Sequence, residues 1–99
     1  MIYEIAHLHI KPDTHAAFEA AVAKAVPLFK SSRGCQAVRL ERSIENGDHY
    51  RLVVSWETLE DHTVHFRNSE AFPAWRGLVS EFFAAPPQVE HMNTVLTGF

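Results

Sequence analysis

One cysteine in 99 residues rules out an internal disulfide, and a lone thiol cannot assemble a cysteine metal site. Basic charge is scarce: nine Lys and Arg stand against twelve Asp and Glu, for a net charge of −3. That removes the electrostatic footprint a nucleic-acid partner requires. No apolar run approaches the roughly 18 residues needed to span a bilayer, so no membrane role is expected. The opening Met1-Ile2-Tyr3-Glu4-Ile5-Ala6-His7 has neither a basic n-region nor an apolar h-region, and the expected location is the cytoplasm. Repeats, linkers and low-complexity tracts are missing too, which leaves a single domain over residues 1–99.

What remains is an ordinary globular composition, 46% hydrophobic and 21% charged, with periodic segments clear enough to order. Ile2 to Ile10 reads as a strand, with Ile2, Glu4, Ala6, Leu8 and Ile10 on one face and Tyr3, Ile5, His7 and His9 on the other. Lys11-Pro12-Asp13 stops it, and Asp13 or Thr14 can cap the helix that follows. That helix carries Phe18, Val22, Val26 and Phe29 along one stripe, and Pro27 predicts a kink or an early end. Ser31-Ser32-Arg33-Gly34 turns the chain into a second strand, Cys35 to Ser43, in which Cys35 reads as a small buried residue. Asn46-Gly47 signals a hairpin to the third strand, His49 to Trp56.

Thr58 with Asp61 three residues on resembles a capping box, opening a short helix that ends near Arg67. After Asn68-Ser69 a further helix reaches about Phe83, with Phe72, Trp75, Val79 and Phe82 or Phe83 inward and Pro73 in its first turn. Gln88 to Leu96 reads as the last strand. The order β-α-β-β-α-β is the ferredoxin-like α+β arrangement: one antiparallel sheet, with helices on one face. The opposite face carries Tyr3, Ile5 and Val53, and a second copy of the sheet would cover it, so a homodimer is expected. In that dimer His7, His9, Arg39 and Arg51 are interface residues, the histidines pairing with Glu41 or Glu90.

The segment from Trp56 to Trp75 holds the best candidates for chemistry. His65 has the only side-chain type whose ordinary pKa, about 6.5, suits proton transfer near neutrality, and it is the expected catalytic base or proton shuttle. Trp75, Phe66 and Phe72 can wall a pocket for a flat substrate. His91 could orient a substrate oxygen, and Arg76 could neutralise a phenolate or carboxylate. His62 and His65, three apart, could share a metal with His91, but no carboxylate or cysteine is placed to complete the set, and no metal is expected.

Trp56-Glu57, then His65, then Ser69 and Phe72, resembles the antibiotic biosynthesis monooxygenase superfamily of dimeric α/β barrels. The resemblance extends to Pro12, to Gly34-Cys35 and to Pro87-x-Val89-x-His91, and so covers nearly the whole chain. It implies a cofactor-independent monooxygenase, working without metal or flavin on a small aromatic quinol- or anthrone-like substrate and dioxygen. His65 matches the histidine of the quinol-oxygenating branch, and Leu8 would line the floor of the cavity. The haem-degrading branch uses an asparagine, a tryptophan and a histidine where this chain has Ala6, His65 and Trp75, so haem degradation is not expected. A non-oxidative isomerase of the same superfamily shares the His65 position, and a small-molecule-binding module with no chemistry is the other alternative.

Overall fold

Strands β1 (Ile2–His9), β2 (Cys35–Arg42), β3 (His49–Trp56) and β4 (Gln88–Met92) form one antiparallel sheet in the order β2-β3-β1-β4, in a computed structural model that describes residues 1–99. Helix α1 (His15–Lys30) joins β1 to β2. A π-helical turn (Asp61–Phe66), helix α2 (Ala71–Val79) and a 3-10 turn (Ser80–Phe82) join β3 to β4. This is the ferredoxin-like α+β fold. Ala6, Leu8, Leu52, Val54 and Trp56 on one sheet face pack with Phe18, Val22, Ala25 and Phe29 of α1 and Trp75 and Val79 of α2.

Several boundaries differ from expectation, each for a physical reason. Helix α1 runs through Pro27 to Lys30. At about 100° per residue, Pro27 lies opposite Phe18, so its ring and the carbonyl it leaves free face water. By the same geometry Val26 sits about 80° off the Phe18 line. It is 38% exposed, and Ala25 takes the inner position. Thr14 is the N-cap residue, but its hydroxyl donates to the Lys11 carbonyl, 2.7 Å away, and does not cap the helix. Strand β1 ends at His9, while Ile10 turns to bridge Phe83. Strand β4 stops at Met92, short of Leu96: Met92 pairs with Tyr3, and β1 begins one residue earlier, so the chain beyond has no strand to bond.

On the face away from the helices, Ile5 and Val53 are already buried within one chain, in a row flanked by Arg39 and Glu90. Within the one chain, Arg39 and Arg51 both pair with Glu41, and His7 Nε2 lies 3.0 Å from Glu90 Oε1. His49 stacks against both His7 and His9.

The turn before β2 and the capping box interlock. Thr58 N–H donates to Asp61 Oδ2 (3.1 Å) and Asp61 N–H to Thr58 Oγ1 (3.2 Å), the reciprocal pair the sequence predicts. Gly34, with φ of 75°, lies against that carboxylate; a Cβ there would fall 2.0 Å from Asp61 Oδ2. Gly34→Ala therefore combines left-handed backbone strain with loss of the cap, and is expected to destabilise the fold by roughly 2–4 kcal/mol. Urea denaturation checks this, and a loss under about 0.5 kcal/mol would refute the interlock.

Candidate active site

Between the helix-covered sheet face and α2 lies a cleft of about 220 Å³. Ala6 and Leu8 of β1 and Leu52 of β3 form its floor; Phe29, Phe66, Phe72 and Trp75 its aromatic wall; Phe83, Pro87 and Val89 its far side. Its volume exceeds that of apolar cavities of about 150 Å³ that hold a benzene ring. A fused two-ring molecule is of a matching size.

The polar groups of the cleft are few. Glu4 occupies a helix-facing position of β1, opposite His91 of β4 in the strand register, and is 6% exposed. His62, 2% exposed, enters from the π turn. Glu4 Oε1 accepts from the Trp56 indole N–H at 3.0 Å and lies 3.3 Å from His62 Nε2. The other nitrogen of His62, Nδ1, is 2.8 Å from His91 Nε2. Carboxyl and two imidazoles thus lie in one array running from the cleft to the half-buried His91, with His62 hydrogen-bonded to His91 and within ion-pair distance of Glu4. The two nitrogens of His62 face different partners, so the three groups do not converge on one point, and no set of three His, Cys, Asp or Glu side chains is gathered for a metal.

Burial raises the Glu4 carboxyl to about 7, against the lowering effects of the Trp56 hydrogen bond and the Arg67 charge. Burial likewise lowers His62 to about 4, helped by the positive charges of Arg67 and His91. His91 is lowered by burial and by Arg67. Near neutral pH His62 is uncharged, able to take a proton at one nitrogen as it gives one up at the other, while Glu4 is balanced between its two forms. No protein group bonds Glu4 Oε2, which leaves that oxygen to a molecule in the cleft.

Of the residues singled out from the sequence, Leu8, Phe66, Phe72, Trp75 and Arg76 all line this cleft. His91 reaches it through His62. His65 does not reach it: the side chain is exposed and borders a separate groove with Ser31, Ser32, Arg33 and Ser69. The turn carrying both histidines explains the difference. Arg67 N–H bonds the His62 carbonyl (3.3 Å), a five-residue step that widens the turn, so His62 and Phe66 point inward while His65 swings to solvent. The sequence reading missed Glu4 and Arg67 altogether and weighed His62 only as a metal ligand. For Glu4 the signal was present: a lone carboxylate among Ile2, Ala6 and Leu8 on the apolar face of a strand.

The chain is similar to known proteins along nearly its whole length. A family model described as antibiotic biosynthesis monooxygenase matches residues 1–78. The uncharacterized protein YczJ of Bacillus subtilis (strain 168) is 39% identical over 95 residues, which make up 96% of this chain and all of that protein. A crystal structure from Bordetella bronchiseptica, named provisionally as an antibiotic biosynthesis monooxygenase, is 54% identical, with a TM-score of 0.94 over 96% of this chain and 97% of that one. A variant of SnoaB, a cofactor-independent oxygenase from Streptomyces nogalater, shares the fold with a TM-score of 0.82 at 12% identity, covering 98% of this chain and 95% of its own. No helix of the chain is long and apolar enough to cross a membrane.

Proposed function

The chain belongs to the antibiotic biosynthesis monooxygenase family, and from that premise we propose a cofactor-independent monooxygenase of the quinol-oxygenating kind, acting as a cytoplasmic homodimer on a small aromatic quinol- or anthrone-like molecule. The observation that carries the proposal is the Glu4–His62–His91 array opening into an apolar, aromatic-walled cleft. The base assigned to His65 from the sequence becomes Glu4, because Glu4 faces the cleft and His65 faces water.

In this mechanism the quinol hydroxyl gives its proton to Glu4 Oε2. A turn of the Glu4 carboxyl carries that proton to the Oε1 side, where it passes to His62 Nε2; the one on Nδ1 moves to His91, and His91 releases a proton to solvent. The electron-rich phenolate then gives an electron to dioxygen, and the two radicals combine to form a carbon–oxygen bond. Protonation gives a ring hydroperoxide, which loses water. For a hydroquinone the sum is quinol plus O₂ giving hydroxyquinone plus H₂O. The substrate supplies all four electrons, so the balance calls for no flavin or metal. The cleft contributes a low-polarity wall around the deprotonated ring and excludes bulk water from the peroxide.

Oxygen uptake by metal-free protein with 1,4-dihydroxynaphthalene is the test. The expected result is one O₂ consumed per quinol, hydroxyquinone as product and no accumulation of hydrogen peroxide. His65→Ala should keep the wild-type rate to within about two-fold. Stoichiometric peroxide would make the protein an oxidase and sink the oxygenase mechanism. Uptake no greater than autoxidation would favour the non-oxidative isomerase or a binding module.

A further inference from the structure

The chain has six arginines, and four of them, Arg33, Arg39, Arg42 and Arg51, pair with a carboxylate. Arg67 and Arg76 do not, and these two are the arginines that line the cleft. Both are exposed, so they sit at its solvent edge. Their guanidinium carbons lie 5.7 and 5.8 Å from the centre of one ring, Phe72, which is itself part of the cleft wall. An arginine on an aromatic face keeps its outer N–H donors free while its planar group is held in place. Against these two positive charges the cleft sets a single carboxyl, Glu4, so its net charge is +1 or +2 in a chain whose overall charge is −3.

We propose that Arg67 and Arg76 form an anion-recognition edge, and that the substrates of this cleft are aromatic molecules bearing a carboxylate in addition to the reacting hydroxyl. The inference rests on the reading of the cleft as an aromatic-substrate site. The apolar wall takes the rings and the guanidinium groups take the acid, whose planar, two-oxygen form matches the arginine fork. A neutral aromatic of the same size gains the first contact and forgoes the second.

Arg67 ties this edge to the proton array. Its charge acts on Glu4, His62 and His91, disfavouring a proton on each. Beyond Glu4, His62 and His91 themselves, the charged or titratable groups near the array are the Cys35 thiol, which feels the Glu4 charge, and Arg76 across the cleft. A carboxylate seated on Arg67 offsets that charge and eases proton uptake along the path by which the substrate proton leaves. Substrate charge thereby primes its own deprotonation.

Calorimetric titration with 2-naphthoate and with 2-naphthamide tests this without any oxygen chemistry, since neither probe is a quinol. In the wild type, 2-naphthoate is expected to bind about ten- to hundred-fold more tightly than the amide, the range of one or two charge-assisted hydrogen bonds. In the double variant Arg67→Gln with Arg76→Gln that preference collapses toward unity, through a loss of naphthoate affinity far larger than any change for the amide. Naphthoate, and not the amide, should also raise the pH at which the His91 ring protonates, as read by NMR. Amide and naphthoate binding equally to the wild type, or a preference that survives in the double variant, overturns the anion edge and leaves the aromatic site standing. Binding of neither probe overturns both.

Discussion

Glu4→Gln is expected to lower the oxygenation rate by about 10²- to 10⁴-fold, the usual share of a positioned acid–base group. Glutamine preserves the shape and an oxygen to accept from the Trp56 N–H, but it cannot receive a proton at the cleft. The active form of Glu4 is the carboxylate, so in the wild type kcat/KM should rise ten-fold per pH unit below about 7 and level off above it. His62→Ala breaks the exit path and should fall in the same range. Rates and pH profiles of the two variants beside His65→Ala decide the matter. If His65→Ala is the variant that loses activity, the proton path drawn here is wrong.

The same substitution should make the protein more stable in alkali. The folded-state pKa of Glu4, about 7, lies above its ordinary value of 4.5. Below 4.5 the carboxyl is protonated whether the chain is folded or not, and it costs nothing. Between 4.5 and 7 the unfolded chain ionises and the folded chain does not, so stability falls as pH rises. Above 7 the cost is complete, roughly 3 kcal/mol from a shift of about 2.5 pH units. Glutamine has no charge to bury. Urea denaturation at pH 9 should therefore show Glu4→Gln more stable than wild type by roughly that amount, with the gap closing toward pH 4.5. Equal stabilities at pH 9 would mean that Glu4 ionises in the fold without penalty. Loss of activity together with a gain in stability is the pattern of a residue kept for chemistry.

The strand alternation, the Asn46-Gly47 hairpin and the Thr58–Asp61 box were legible in the sequence because each depends on residues close together in the chain. The aromatic wall was legible for a related reason: Phe72, Trp75 and Val79 recur at helical spacing, and only one face of α2 can meet the sheet. What was illegible depended on distant partners or on local pitch. The end of β4 is set by where β1 begins, some ninety residues earlier. The tolerance of Pro27 depends on which side of α1 faces water. Above all, three-residue spacing puts His62 and His65 on one face only in an α-helix. The turn there is a π turn, held by the Arg67 to His62 bond, and no pattern of residue types marks that pitch.

Along β1 the chain writes two messages in alternate letters. Glu4, Ala6 and Leu8 face the cleft; Tyr3, Ile5 and His7 face the open side of the sheet. A pleated strand keeps these sets from meeting, so the odd positions can change to suit whatever lies across the open face without disturbing the cleft, and the even positions can re-tailor the cleft without disturbing the open face. The separation is also a vulnerability. One residue deleted before Glu4 would exchange the two readings, delivering Ile5 to the cleft and the carboxylate to the outer surface. Substitution is the cheap route by which this strand can evolve, and a change of length is the route closed to it.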